Sequence, residues 1–157
     1  EDSTNPIAEK CSKAASEALS AQFTALPPLV QHLLHDATMK SILQVAQTKS
    51  LETKLALIQI CFAFVHESTN ETFEEVLCLN SDFTIFDYIN DIYDTEGDTG
   101  QALQLLLLIF DKSTQFNLVD ESKTAFYNSF NEDFFNQTDF ETEEIEHLFL
   151  DLRKYFM

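Results

Sequence analysis

Two stretches of the chain are almost continuously apolar, and each has the length of a buried helix. The first reads LETKLALIQICFAFVHES and covers residues 51–68; the second reads TGQALQLLLLIFDKSTQF and covers residues 99–116. From Leu55 to Val65 apolar side chains cover most of the helix circumference, which is typical of a central helix. In the second stretch, apolar side chains run without interruption from Leu105 to Phe110. Both stretches predict core helices of an all-α fold.

The second stretch has two other readings, a membrane segment or a buried strand. Its apolar run is about ten residues long, roughly half of the ~20 that a membrane crossing needs. Asp98 and Asp111 flank it, and acidic flanks do not favour an anchored end. Leucine and glutamine favour helix over strand. We therefore expect a helix that does not insert into a membrane.

Shorter amphipathic helices are predicted around these two stretches. Residues 7–25 carry an apolar stripe of Ile7, Cys11, Ala15, Ala18, Leu19 and Phe23. Pro27 and Pro28 end this helix, and a short helix is expected at 29–35 and another at 37–48. The predicted N-terminal caps further along are Ser50, Ser68 with Glu71, Ser81 or Asp82, and Thr138 with Glu141. The last helix has the most regular apolar pattern, formed by Ile145, Leu148, Phe149, Leu152 and Phe156.

An offset of 46 residues lays one long apolar stretch over the other. Four identities result: Thr53 with Thr99, Ala56 with Ala102, Leu57 with Leu103, and Phe64 with Phe110. A polar turn containing Ser-Thr follows each stretch. A period near 46 is the length that armadillo and HEAT repeats use.

On these residues, positions 37–157 resemble the armadillo/HEAT class of α-solenoids, in which each repeat ends in a long apolar helix inside the stack. The segment LLLLIFDKSTQFN is also similar to the leucine-rich armadillo-like domain of proteins that promote actin nucleation. The length of the chain predicts a single all-helical domain over 1–157. The resemblance assigns repeat-like helices to 37–157, which leaves N-terminal capping helices in 1–36. An irregular bundle of about eight helices is the alternative.

Composition supports the helical prediction and excludes other fold classes. The chain has 157 residues, with 15 Phe, no Trp, 3 Pro and only 2 Gly. Both glycines, Gly97 and Gly100, fall in one loop. Sandwich folds and dinucleotide-binding folds need glycine in their turns and phosphate loops, so neither fits this chain.

The net charge is −18, and nearly all of it lies after residue 60. Residues 61–157 hold 21 acidic residues and four basic ones, and no Lys or Arg occurs from Leu55 to Asp111. Such a field repels nucleic acids and anionic membrane surfaces. It attracts a basic peptide or protein, unless the acidic surface serves only solubility.

The sequence therefore predicts a non-enzymatic interaction domain that binds a basic partner through acidic helix surfaces. The candidate binding residues are Glu71, Glu74, Glu75, Asp87, Asp91 and Asp94.

Motifs for catalysis, metals or cofactors are missing from the sequence. His66-Glu67 begins like a zinc-protease HExxH motif, but Asn70 replaces the second histidine. His32 and His35 have a spacing that can hold zinc, with no third ligand nearby. Calcium-loop registers around Gly97 and Gly100 fail, and no phosphate loop or nucleophile elbow exists. We expect no cofactor and no metal.

Compartment and assembly stay open at this stage. Three cysteines without CxxC spacing favour a reducing compartment, cytoplasmic or nuclear. Sequons at Asn70 and Asn136 keep a secreted alternative, a helical bundle that binds an apolar ligand or lipid between Phe-rich helices. A third possibility is a structural subunit whose last helix, within 140–157, docks on a sister chain. The oligomeric state is left undetermined.

Overall fold

The computed structural model describes residues 6–25, 38–95 and 97–157, and all of their regular secondary structure is helical. The all-α prediction is confirmed for this part of the chain. Its residues fall into two compact units, one up to Tyr88 and one from Ile89 to Met157.

The first unit is built from α1 to α5 and the beginning of α6. The helices are α1 Pro6–Ala25, α2 Thr38–Gln47, α3 Leu51–Ala56, α4 Ile58–Glu67, α5 Phe73–Leu77 and α6 Ile85–Tyr93. Helix α1 packs on α3 and α4, and α5 packs on α2 and α4. The short helix predicted at 29–35 lies outside the described residues, as do His32 and His35.

The first long apolar stretch forms two helices, α3 and α4, which are separated by a turn at Leu57. The N–H of Leu57 donates to the carbonyls of both Thr53 and Lys54, at 3.2 and 3.1 Å. The buried hydroxyl of Tyr88 donates to the same Lys54 carbonyl at 2.5 Å. The Lys54 carbonyl thus accepts two hydrogen bonds, one from the backbone N–H of Leu57 and one from the Tyr88 hydroxyl. Both are made at the tight turn where α3 ends and α4 begins. Burial raises the pKa of Tyr88 well above its usual range, so the hydroxyl keeps its proton.

The core of the first unit comes from one face of each helix after α1. Its fully buried members on α2 and α4 are Leu43, Ala46, Ile60, Cys61, Phe64 and Val65. Helix α4 supplies the largest share, as its apolar sequence predicts. Phe62 and Ala63 on its other side are only half-buried.

Helix α1 lies with the described part of its apolar stripe outward, the reverse of the usual orientation of an amphipathic helix. Cys11, Ala15, Ala18 and Leu19 are all exposed, and 43% of Leu19 is accessible. The buried side carries Ser16, beside the half-buried Glu9, Ser12 and Lys13. The side chains of Ile7 and Phe23 lie outside the part of the chain that the structure describes.

A polar clasp made by Glu9, Ser50 and Thr53 explains this orientation. The Glu9 carboxylate accepts the Ser50 N–H at 3.3 Å, the Ser50 hydroxyl at 2.5 Å and the Thr53 hydroxyl at 3.0 Å. It therefore binds the first turn of α3, where backbone N–H groups lack helical partners and negative charge is favoured. Lys13 adds an ion pair to Glu52 at 3.7 Å. Because these polar contacts need the polar side of α1, its apolar side faces away.

We expect Glu9→Gln to remove a pH-dependent part of the stability. Hydrogen bonds from Ser50, with further help from Thr53 and Lys49, lower the pKa of Glu9 below 4.5. A group whose pKa is lowered on folding stabilises the fold above its unfolded pKa, and this contribution disappears as pH falls through the folded pKa. The difference in free energy of unfolding between the wild type and Glu9→Gln should therefore be present at neutral pH and shrink below pH 4.5. Urea unfolding across this pH range measures it, with Glu17→Gln on the same helix as the control for net charge. A difference that is independent of pH would contradict the clasp.

The second unit is organised around one long helix. Its elements after α6 are α7 Thr99–Gln115, α8 Val119–Ser129, a 3₁₀ turn at Glu132–Asn136, α9 Glu143–Arg153 and a 3₁₀ turn at Lys154–Phe156. Helix α7 packs on α8 and α9. Its buried face is formed by Ala102, Leu103, Leu105, Leu106, Ile109, Phe110 and Ser113. The prediction that the second apolar run is buried is confirmed, although Leu107 and Leu108 are half-buried.

Phenylalanine rings from α7, α8 and the two 3₁₀ turns form an aromatic cluster around Phe126. Phe130 stacks on Phe126 with ring centroids 4.5 Å apart, and Phe134 meets it edge-on at 5.2 Å. Phe156, near the end of the chain, lies 4.9 Å from the same ring. Phe126 is fully buried. The rings fill the interior by contacting one another.

Several helices begin a few residues later than predicted. Ser50 caps α3 as expected, accepting from the Thr53 N–H. Three further helices start after threonines: Thr72 precedes α5, Thr84 precedes α6 and Thr142 caps α9. At α9 the Thr142 hydroxyl accepts from the N–H of Ile145, the first residue of the apolar series. The caps predicted at Ser68, at Ser81 or Asp82, and at Thr138 are therefore wrong; the Ser68 hydroxyl instead donates to the Val65 carbonyl at the end of α4.

Candidate functional site

Helix α5 presents two of the predicted acidic residues on the surface of the first unit. A turn at 69–72 starts it: the Thr69 N–H donates to the Thr72 hydroxyl at 2.9 Å, and the Phe73 N–H donates to the Thr69 carbonyl. Phe73, Val76 and Leu77 face the core. The side opposite this apolar face carries Glu74 and Glu75, which are both exposed.

A groove of about 410 Å³ lies along these carboxylates, and we call it the acidic groove. It is lined by Lys40, Glu74, Glu75, Cys78, Leu79, Asn80 and Ser81. Helix α2 contributes Lys40, and the end of α5 with the following turn contributes all the other lining residues. The groove therefore combines two carboxylates, two neutral polar side chains and one ammonium group above an apolar floor.

Cys78 shapes the floor of the acidic groove by ending α5 in a left-handed conformation. Its φ is 54°, which a residue with a Cβ adopts only when its surroundings hold it there. The N–H of Cys78 donates to the carbonyls of Glu74 and Glu75, both at 3.1 Å, and its thiol donates to the Glu75 carbonyl at 3.2 Å. These bonds fix the backbone that carries the two glutamates.

The thiol in this groove is not an activated nucleophile. Burial raises the pKa of Cys78 to about 11; the nearby Lys40 ammonium works against this shift, and the Glu75 carboxylate adds to it. Since the thiolate is the reactive form, the protonated thiol acts as an apolar wall at neutral pH. The buried Cys61 behaves in the same way, with a pKa of about 12. Across the residues that the structure describes, no three His, Cys, Asp or Glu side chains are grouped to hold a metal ion.

The six predicted binding residues fall into different settings. Glu74 and Glu75 both line the acidic groove. Glu71 is exposed in the turn that precedes α5, three residues before Glu74. The structure thus brings three of the six together on one short segment.

Asp87 has a structural role in addition to any role in binding. Its carboxylate accepts from the Thr84 N–H at 2.9 Å and from the Thr84 hydroxyl at 3.1 Å, while the Asp87 N–H donates back to the Thr84 hydroxyl. This reciprocal pair is a capping box at the start of α6. Asp91 and Asp94 are exposed and belong to the second unit, at the end of α6.

A second cavity, also of about 410 Å³, lies in the second unit, and both carboxylates that line it already accept hydrogen bonds from neighbouring side chains. It is lined by Leu107, Asp111, Asp151, Lys154 and Tyr155. Tyr155 donates to Asp111, and Lys154 donates to Asp151 at 2.6 Å. An incoming cation has to compete with these two donors. The acidic groove is therefore the better candidate for binding a basic group.

The sequence did not indicate the other five residues that line the groove, among them Lys40 and Cys78. Lys40 is 34 positions from Glu74, and only the packing of α2 on α5 brings them to one groove. The left-handed turn at Cys78 had no signal either, because glycine or asparagine is the usual residue there. The capping box at Thr84 was readable as Thr-x-x-Asp.

None of the described helices is both long and apolar enough to cross a membrane. Comparisons of the chain with protein-family models, with curated proteins and with solved structures find no match in any of the three.

Proposed function

We propose that the chain is a non-enzymatic protein-interaction domain that binds a basic peptide or protein segment through the acidic groove. The observation that carries this proposal is the position of Glu74 and Glu75, exposed side by side along a groove large enough for a side chain. A lysine or arginine head group of the partner would lie between these carboxylates. Its aliphatic stem would rest on Leu79 and the Cys78 thiol.

The surrounding charge supports the same partner. Glu71 adds a third exposed carboxylate near the groove, and the segment from Leu55 to Asp111 contains no Lys or Arg to oppose it. An excess of one sign speeds the encounter with an oppositely charged partner. Lys40, across the groove, favours a partner that carries an acidic residue beside its basic one.

The repeat-like organisation is also part of the proposal. In each unit a mostly buried apolar helix, α4 or α7, packs on helices that keep acidic residues exposed, as α5 does with Glu74 and Glu75 and α9 does with Glu143 and Glu144. This is the division between inner and outer helices that an armadillo/HEAT-like stack would have. An interaction domain of this type would act in the cytoplasm or the nucleus.

The two alternative functions gain less support. The Phe rings of the second unit contact one another, and no Phe lines any of the three pockets described in this chain. Helix α9 buries Phe149 and Leu152 within its own unit, where it packs on α7. An apolar-ligand bundle or a docking last helix would need such surfaces to be available.

Reversing the two groove charges tests the proposed function. We expect Glu74→Lys/Glu75→Lys to weaken binding of a labelled Arg-Lys-rich peptide about tenfold or more, since two exposed attractions become repulsions. Fluorescence anisotropy at about 0.05 M and about 0.5 M salt measures the effect, which should shrink as the Debye length shortens.

The matched control is Glu143→Lys/Glu144→Lys. These residues are also adjacent, exposed and in the first turn of a helix, so the net charge and the helix dipole change alike. If both double variants weaken binding equally, the affinity for the peptide depends on the net charge of the protein, and the acidic groove is not the binding site.

A further inference from the structure

The loop at 137–142, between a 3₁₀ turn and α9, carries a threonine that the fold does not use. The sequence predicts Thr138 and Glu141 as a capping box, but α9 is capped by Thr142. Thr138 is exposed, and within the described part of the chain its hydroxyl makes no hydrogen bond. This hydroxyl is therefore available to an enzyme.

The spacing from Thr138 to Glu141 also fits the substrates of acid-directed serine/threonine kinases. Such a kinase has a basic substrate cleft, which binds a carboxylate placed three residues after the acceptor hydroxyl. Asp139 follows Thr138 directly, and both Asp139 and Glu141 are exposed. The pattern alone is not selective, because it occurs at six acceptors in the chain: Ser68, Thr72, Thr84, Thr95, Ser129 and Thr138.

Three of the six acceptors use their hydroxyl within the fold. Ser68 is buried and donates to a backbone carbonyl of α4 at 2.6 Å. Thr72 is buried and accepts from a backbone N–H at 2.9 Å. Thr84 donates at 3.1 Å to Asp87, the same carboxylate that a kinase would have to bind. These three hydroxyls are not available in the folded chain.

Two further acceptors are less accessible than Thr138. Ser129 is half-buried and is the last residue of α8. Thr95 is half-buried in the turn that follows α6, and its N–H donates to the Ile92 carbonyl at 3.0 Å. All six acceptors lie in the described ranges, and among them Thr138 alone is exposed.

The backbone around Thr138 has the conformation that a kinase cleft accepts. Gln137 has φ −61° and ψ 137°, and Thr142 has φ −143° and ψ 159°, so both are extended. A kinase must place the acceptor oxygen in line with the γ-phosphate of ATP, and it does so by binding an extended segment along its cleft. A hydroxyl inside a helix cannot be presented in this way.

Side-chain contacts on both sides of Thr138 hold the loop on the second unit. The side-chain oxygen of Gln137 accepts from the Tyr93 hydroxyl at 2.9 Å. The ring of Phe140 lies 4.8 Å from that of Phe149, between ring centroids. The loop is thus fixed through its neighbouring side chains, and the Thr138 side chain stays in solvent.

We propose that Thr138 is a phosphorylation site for an acid-directed serine/threonine kinase. The kinase transfers the γ-phosphoryl group of Mg-ATP to Oγ1 of Thr138. The bond from the γ-phosphorus to the bridging oxygen of ADP breaks, a bond from phosphorus to Oγ1 forms, and the hydroxyl proton passes to the catalytic carboxylate of the kinase. The phosphate adds a charge of about −2 next to Asp139 and Glu141. This site is independent of the acidic groove.

Phosphorylation of the folded full chain tests the proposal, with Mg-ATP and a purified kinase of the casein kinase II type. We expect one phosphoryl group per chain, located at Thr138 by fragmentation mass spectrometry, and none in Thr138→Ala. A phosphoryl group at another acceptor with Thr138 unmodified, or no incorporation at all, overturns the proposal.

Two charge-neutralising variants test the role of Glu141. Glu141→Gln should slow the reaction about tenfold, because one charge-assisted contact with the kinase is lost. The control is Glu146→Gln, which changes the net charge equally at an exposed residue further from Thr138 and should leave the rate unchanged. Equal slowing by both variants contradicts recognition of Glu141.

Synthetic peptides covering 64–76 and 134–146 separate the acidic pattern from the fold. We expect both peptides to be phosphorylated, since the first contains Ser68 and Thr72 and the second contains Thr138, each with its acidic residue. In the folded chain, only Thr138 should be modified. If Thr138 is phosphorylated in the peptide but not in the folded chain, the loop is not accessible and the proposal is wrong. If the peptide 134–146 is not phosphorylated, the kinase does not recognise the pattern, which also overturns it.

Discussion

Phe126→Ala should destabilise the second unit by about 3–5 kcal/mol, the usual cost of removing a buried aromatic ring from a packed core. The ring has no solvent exposure and contacts Phe130, Phe134 and Phe156 at centroid distances of 4.5 to 5.2 Å. Because the neighbouring rings are large and rigid, the cavity cannot close by small side-chain movements. Urea unfolding monitored by circular dichroism measures the loss. Hydrogen exchange should show faster opening of α7 and α8.

Phe116→Ala provides the matched control in the same unit. Phe116 is half-buried at the end of α7, and Lys112 lies over its ring at 5.7 Å. A partly exposed ring with a cation above it contributes about 1 kcal/mol, so the control should cost a fraction of the Phe126 loss. If the two variants are equally destabilised, the aromatic cluster is not the core of this unit.

The apolar pattern predicted which helices are central, and burial agrees for both long stretches. Periodicity alone fails where a polar contact over a long sequence distance decides the orientation. Helix α1 is the clearest case, since an apolar stripe on a helix is usually buried, whereas the Glu9 clasp turns this one outward. The clasp joins residues 41 and 44 positions apart, and no local pattern contains that information.

The candidate site shows the same division between local and long-range information. The acidic sequence was enough to indicate Glu74 and Glu75 as surface residues. This worked because α5 is amphipathic and exposes its acidic side. Lys40 reaches the groove through packing between α2 and α5, and Cys78 shapes the floor through a backbone conformation that its residue type does not favour. Asp87 looked equivalent to the other acids in the sequence, yet its carboxylate caps a helix. Sequence gives the charge of a surface more readily than its shape.

Phe64→Ala should cost about 3–5 kcal/mol in free energy of unfolding, while Phe62→Ala should cost about 1–2 kcal/mol. Both residues lie in α4, two positions apart, so helix propensity and composition change equally in the two variants. Phe64 is fully buried and Phe62 is half-buried, since they point to opposite sides of the helix. The difference between the two losses in free energy of unfolding therefore reports which side of α4 is buried, because both substitutions remove the same apolar side chain. An apolar sequence covering most of a helix predicts nearly equal losses at the two positions. Urea denaturation of the pair decides between these outcomes, and equal losses would mean that α4 is buried on all sides.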